Sequence, residues 1–234
     1  MSYRASFLFR LLICAAFAFI SLSAFSTEED SLRISYLNHP SVANIALPIV
    51  KQAYQRAGIK AEFVELPAHR LLQEISAEHT DGDVLHAQEI FKPFSNIIKV
   101  GPPITKVDYV LLCSHNVLCD NSVLISSPET IVASDQSMRV IGYQFPSAKG
   151  RRFYQLNNLA QLPELLVEKR FNYAIYIVST EWPLPKSLTH LKMYHLFESE
   201  AYHTLHKKHH AIAQKVGKAL EIELRERKRL DKQS

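Results

Sequence analysis

Apolar and polar residues alternate along Leu32-Arg33-Ile34-Ser35-Tyr36-Leu37, the period-two signature of a half-buried strand, and Asn38-His39-Pro40-Ser41 breaks the alternation. From Ile45 to Ala57 the apolar spacing becomes helical, and Gly58 stops it. A second strand is predicted over Lys60–Leu66, a helix over His69–Glu78, a tight turn at Asp81-Gly82 and a third strand over Asp83–His86. Strand, helix, strand, helix, strand within about 60 residues is the rhythm of a parallel α/β sheet.

The proline pair Pro102-Pro103 is read as the end of this first block, and Val107–Cys113 as a strongly apolar strand. A second block repeats the rhythm more weakly. Its predicted pieces are a strand at Val123-Leu124-Ile125, a helix opened by Ser127-Pro128-Glu129, a strand over Met138–Tyr143, a helix near Leu159–Lys169 and a strand over Tyr173–Val178. Leu191–Phe197 is a further candidate strand. The stretch His206–Leu230 carries a long basic amphipathic helix with Ile212, Val216, Ala219 and Leu220 on one face. That helix has no obvious partner in its own block, so it is expected to return to the first one.

The beginning of the chain adds a compartment. Arg4 and Arg10 accompany an apolar run that ends at Ala24-Phe25-Ser26, the layout of a secretory signal peptide cleaved after Ser26. Its core, Leu11–Ile20, is short against the roughly 20 apolar residues of a spanning helix; an uncleaved anchor is the alternative. Cleavage would lower the formal net charge from +4 to about +2, too little to imply a nucleic-acid partner. Cys113 and Cys119 remain. In an unbroken strand they would lie roughly 20 Å apart, so a bridge requires a turn, which Ser114-His115-Asn116 can supply; two buried thiols are the alternative.

Two clusters suggest chemistry. Asp81 and Asp83 flank Gly82, but Asp-Gly is first a turn signal, and neither acid has a partner base or nucleophile in the sequence. On a helix His203, His206 and His210 would share one face, with His209 beside them and Glu198 and Glu200 upstream, which opens a metal-dependent enzyme as an alternative. The chain contains no G-x-S-x-G elbow, P-loop, H-E-x-x-H or G-x-G-x-x-G motif, which argues against hydrolase, nucleotide-binding and dehydrogenase functions.

The segments LPAHRLLQEISAEHTDGDV, FKPFSNIIKVGPPI and AYHTLHKKHHAIAQKVGKAL resemble the periplasmic solute-binding proteins of the extracellular solute-binding family 3 type. The resemblance implies an α/β, two-lobed, type 2 periplasmic-binding-protein-like fold with two hinge crossovers. The first lobe would comprise residues 27–108, the second 109–194, and residues 195–234 would return to the first. It also places Ala201–Leu205 on a strand, which breaks the geometry of the histidine cluster. It further implies a monomeric periplasmic protein, without catalysis, metal or cofactor, that closes on a small polar solute for a membrane transporter; a sensing module for a membrane receptor shares the fold.

In open α/β sheets ligands bind beyond the carboxyl ends of strands. This rule selects Tyr36, Asn38 and His39 after the first strand, His69 and Arg70 after the second, and His86 and Gln88 after the third. In the second block it selects Tyr143, Gln144, Ser147 and Lys149, then Ser179, Thr180, Glu181 and Trp182. The expected ligand contacts are Tyr36, Asn38, Arg70, His86, Gln88, Gln144 and Thr180. Relatives that bind amino acids commonly carry an arginine near the position of His86, and a bidentate carboxylate clamp needs a guanidinium. Arg70, Arg139, Arg151 and Arg152 are the candidates to replace it, and Gly150-Arg151-Arg152 is a candidate anion cradle against a solvated basic surface.

Overall fold

The computed structural model describes residues 31–39, 41–148, 150–156, 161–180, 182–231 and 233. The expected signal peptide, and the candidates Lys149 and Glu181, lie outside the described residues. No helix among the described residues is long and apolar enough to cross a membrane.

Strands β1 (Leu32–Tyr36), β2 (Ala61–Glu65) and β3 (Gly82–Ala87) form where the alternation predicts them, with β1 parallel to both neighbours. Helix α1 (Leu47–Ala57) follows a π-helical turn at Val42–Ala46, buries Leu47, Ile49, Val50, Ala53 and Tyr54, and ends on Gly58 in the left-handed conformation. Helix α2 (Leu71–Ser76) precedes β3, and the short α3 (Gln88–Phe91) follows it. Gly82 belongs to the strand and has no positive φ. A Cβ there would lie 2.4 Å from the Thr204 carbonyl oxygen and 2.5 Å from Leu205 Cδ2, so close strand contact rather than turn conformation requires the glycine.

The next strand, β4, is continuous from Ile97 to Cys113 and passes through Pro102-Pro103. The prolines do not end the block, because they sit where the register to the neighbouring strand shifts between Val100 and Thr105, an interruption of the ladder that needs no proline N–H. Gly101, at φ 68°, sits in the same bulge.

In the second half three expectations are corrected together. Val123-Leu124-Ile125 is a helical turn, α4 (Val123–Ser126); the Ser127-Pro128 segment leads into a strand, β5 (Ile131–Ala133); and Met138–Tyr143 lies in helix α5 (Asp135–Gln144). Ser127 Oγ accepts from Glu129 N–H as a local turn rather than a helix cap. The true N-cap is Ser134, whose Oγ accepts from Ser137 N–H at 3.1 Å, and Ser137, Val140 and Ile141 then face the core at helical spacing. Strand β6 (Phe153–Gln155), helix α6 (Leu162–Val167) and strand β7 (Tyr173–Val178) follow. The candidate strand Leu191–Phe197 is part of a longer one, β8 (Lys192–His206), and the terminal helix α7 runs from His210 to Asp231.

The eight strands of the described residues form one sheet in the order β2-β1-β3-β8-β4-β7-β5-β6. The two long strands are antiparallel partners from Ile97 opposite His206 to Cys113 opposite Lys192, and they carry the chain between the halves of the molecule. One core surrounds Ile34, Val50, Val84, Leu205 and Val216 in the first half. In the second half β4 is buried on both faces, with Tyr109, Leu111 and Cys113 in one core and Val110 and Leu112 in another, as its unbroken apolar run demands. Leu72, Ile75, Ile90 and Ile97 join the former of these, so apolar packing continues across the junction.

Helix α7 returns to the first half, packing on β4 and α1. A Cβ on Gly101 would come within 2.9 Å of the Gly217 carbonyl oxygen, so helix and strand meet backbone to backbone. Arg56 adds ion pairs to Glu223 at 2.6 Å and Glu226 at 2.8 Å. Cys113 and Cys119 form a disulfide with Cα atoms 5.8 Å apart, made possible by the intervening turn.

Candidate functional site

The carboxyl ends of β1 and β7 meet across a small cavity beside the β4 bulge. The first half contributes His39, Ser41 and Leu85, the bulge Ile104, Thr105 and Val107, and the second half Ile177, Ser179 and Trp182. Its volume is about 40 Å³. With roughly 10–15 Å³ needed per water, it has room for a few water-sized groups.

Each polar side chain is positioned by its own loop. The Ser41 hydroxyl donates to His39 Nδ1 at 2.6 Å, and the Ser41 N–H approaches the same nitrogen at 3.3 Å, so Nδ1 is an acceptor and the neutral ring carries its proton on Nε2. Burial lowers the His39 pKa, favouring that neutral form. After β7, Ser179 and Trp182 exchange two backbone hydrogen bonds, and Ser179 Oγ also accepts from Trp182 N–H at 3.0 Å. This tight turn brings the indole back to the cavity, where it meets the His39 ring edge to face at a centroid distance of 5.4 Å. The indole Nε1–H is buried.

A second polar link joins the halves. His86 Nδ1 lies 2.5 Å from Asp83 Oδ2 and donates to it, leaving Nε2 to accept from the Gln136 amide nitrogen on α5 at 3.0 Å. Asp83 also accepts from Ser35 Oγ at 3.3 Å and from Leu85 N–H at 3.1 Å. Both Asp83 and His86 are buried. Nearby, Ser199 Oγ donates to the buried Glu89 carboxylate.

The seven residues expected to contact ligand do not line this cavity. Tyr36 is half-buried at the end of β1 against the first core, and Asn38 is exposed one residue before His39. Arg70 is exposed and paired with Glu74 at 2.8 Å; His86 is held in the link just described; Gln88 accepts from Lys99 Nζ at 3.0 Å. Gln144 and Thr180 are exposed. His39, Ser179 and Trp182, selected by the same strand-end rule, are the candidates that the cavity brings together. Trp182 is the single tryptophan of the chain. Gln136 carried no signal in the sequence, since its role comes only through tertiary contact, whereas Ser41 belongs to the Asn38–Ser41 break and meets His39 locally.

The remaining arginine candidates are committed elsewhere. Arg139 pairs with Asp135 at 3.0 Å, Arg151 reaches the Glu129 carbonyl at 3.5 Å and Arg152 donates to the Pro128 carbonyl at 2.8 Å. The histidine cluster separates as well. His203 donates from Nδ1 to the Asp83 carbonyl and accepts from the Tyr54 hydroxyl, His206 faces Asn96, and His209 pairs with Asp81 at 2.6 Å. No group of three metal-ligating side chains converges among the described residues. The sharing of one helical face fails because His203 and His206 lie on β8, while His210 opens α7.

Solved structures share this arrangement of two α/β halves around a cleft. A histidine kinase sensor domain with similarity to periplasmic binding proteins superposes with a TM-score of 0.66 at 12% identity, over 88% of this chain and 94% of that one. The type 2 periplasmic-binding-protein fold is the fold of this chain. The GluR0 ligand-binding core in complex with L-glutamate shares it with a TM-score of 0.63 at 12% identity, over 86% and 95% of the two chains. The arginine-bound form of truncated ArgBP from T. maritima shares it with a TM-score of 0.63 at 11% identity, over 82% and 95%. No protein-family model and no curated protein sequence matches the chain.

Proposed function

We propose that the chain is a periplasmic solute-binding module that closes two lobes on a small solute and presents the closed form to a membrane transporter. The observation that carries this reading is the cavity lined from both halves and spanned by the His39–Trp182 ring contact, with the His86–Gln136 hydrogen bond as a second bridge. A solute touching both walls stabilises the shut form over the open one, and that difference in affinity is the whole mechanism. The reading divides the lobes near residues 108–109 and 194–195. The Cys113–Cys119 disulfide suits an oxidising compartment, in keeping with an exported protein.

A second reading, a sensing module acting on a membrane receptor, is favoured by the likeness to a histidine kinase sensor domain. The two differ in the partner only, and pull-down from a membrane extract separates them by returning either permease or signalling components.

The solute-binding reading is tested by a screen of amino acids, polyamines, organic acids and sugars, following melting temperature and tryptophan emission together. A cleft-binding solute raises the melting temperature by mass action and shifts the emission of Trp182, the chain's one tryptophan. Binders that raise the melting temperature while leaving that emission unchanged would place the solute site elsewhere.

A further inference from the structure

We infer that the outward face of α7 is a docking surface for an anionic lipid bilayer, along which the helix lies. The charge of the chain is segregated: residues 207–234 carry nine Lys and Arg against four Asp and Glu, whereas residues 27–206 carry sixteen against nineteen. One short segment is therefore positive on a body that is otherwise slightly negative, an asymmetry that orients the molecule towards an anionic partner before contact.

Helix α7 turns this composition into a surface. Val216, Ala219 and Leu220 are buried where the helix packs on β4 and α1. The opposite side presents Lys215, Lys218, Ile222, Arg225 and Arg229, each exposed, with Lys228 beside them. Steps of three and four residues alternate between them, so the five form a single row along the helix. At 1.5 Å per residue the row is about 21 Å long. Arg56 draws two of the helix's carboxylates away from it, Glu223 at 2.6 Å and Glu226 at 2.8 Å, while Glu221 pairs with Arg225 at 3.0 Å. The row keeps a positive excess.

Its shape favours a bilayer over an acidic protein segment. A row on the back of a helix packed against a sheet is a ridge, which meets a flat surface along its whole length; protein and peptide partners are held instead through buried aromatic or large apolar anchors. Residues 207–234 contain no Phe, Tyr or Trp. Ammonium and guanidinium groups on flexible stems reach lipid phosphates from one plane, and their methylenes lie along the headgroup layer beside Ile222, which is 37% exposed. Each basic residue close to an anionic surface strengthens binding about fivefold, so three of them carry about a hundredfold. The inference stands apart from what the cleft binds, since a module serving either a transporter or a receptor works beside a membrane.

The test is co-sedimentation of the mature chain, residues 27–234, with vesicles of phosphatidylcholine alone or containing about 30% phosphatidylglycerol. Residues 1–26 are omitted because their apolar run would partition into lipid by itself. The anionic vesicles are expected to bind at least about tenfold better than the neutral ones at about 0.05 M salt, and to release the protein near 1 M, where the screening length falls to about 3 Å. K215E/K218E/R229E is expected to weaken binding about a hundredfold or more. K60E/K92E/K186E makes the same change in net charge at exposed positions elsewhere and is expected to keep most of the binding. All six positions are exposed, and the melting temperature of each variant establishes that it is folded. Equal loss in the two variants would reduce the effect to net charge, and equal binding to neutral vesicles would remove the role of charge; either result overturns the inference. Failure to bind both kinds of vesicle overturns it too, and capture of a polyglutamate peptide in that case would give the face to an acidic protein segment. A solute screen that fails while vesicle binding holds counts against the solute reading alone.

Discussion

The His86 ring nitrogen accepts a hydrogen bond from the Gln136 side chain across 3.0 Å, joining β3 of one half to α5 of the other. On the other edge of the ring, Nδ1 is anchored by buried Asp83. The link therefore has a fixed side and a releasable side, and opening the cleft breaks this neutral hydrogen bond along with the His39–Trp182 ring contact.

Gln136→Ala removes the releasable side alone. A neutral intramolecular hydrogen bond contributes about 1 kcal/mol, which enlarges the open population about fivefold. Small-angle scattering of the solute-free variant is expected to show a larger radius of gyration than the parent. An unchanged radius would mean that the bond takes no part in closure.

Buried His203 gives the protein an acid-sensitive core. Burial lowers its pKa from the ordinary 6.5 to about 4, against the smaller opposing effect of the Asp83 carbonyl. The folded state thus binds fewer protons than the unfolded state between these values. The contribution is complete above pH 6.5 and is lost as pH falls towards 4, by the order of 3 kcal/mol. Burial shifts His206 in the same direction. Denaturant midpoints measured across this window are expected to fall with pH, and His203→Gln to flatten the slope. An equal slope in the variant would assign the effect to other groups.

Reduction of the Cys113–Cys119 bridge frees a short loop at the end of β4. The chain-entropy relation for a loop of this size gives about 2 kcal/mol. The double substitution C113S/C119S is expected to lower stability by that amount in urea unfolding, with the unaltered first-half core preserving the fold. A midpoint equal to that of the oxidised parent would show the bridge to be energetically neutral.

Gly101 and Gly217 form the contact through which α7 is seated on β4. Gly217→Ala would set a methyl group 2.9 Å from the Gly101 backbone nitrogen, forcing helix and strand apart at a cost of about 1–3 kcal/mol. Gly142→Ala, in a helix and with nothing within 4 Å of the added carbon, is expected instead to stabilise by up to about 1 kcal/mol. Opposite signs in thermal unfolding support close packing as the cause; equal effects would refute it.

The first half was legible because its punctuation was local. Gly58 ended α1, and Asp81-Gly82 announced β3, although the glycine is needed for contact with Thr204 and Leu205, which no local pattern reveals. In the second half Met138-Arg139-Val140-Ile141 has β-prone composition, and the competing signal, Ser134 followed by Asp135 and Ser137, is a cap that outweighs it. The short strand Ile131–Ala133 was thereby displaced by one element in the reading. Strand-end logic located the cleft loops well enough to include His39, Ser179 and Trp182. Gln136 stayed invisible, because its partner lies fifty positions away and the pairing depends on how two lobes meet.

The last strand is also a central one: β8 is inserted between β3 and β4. During synthesis, both of those strands wait with open edges until residues 192–206 have been made, and α7 follows later still to cover β4. The first half is not a contiguous piece of chain: it stays incomplete until the β8 residues and α7 have been made. Open edges are aggregation-prone. The order of the strands therefore leaves the first half without its central strand until nearly all of the described chain has been made.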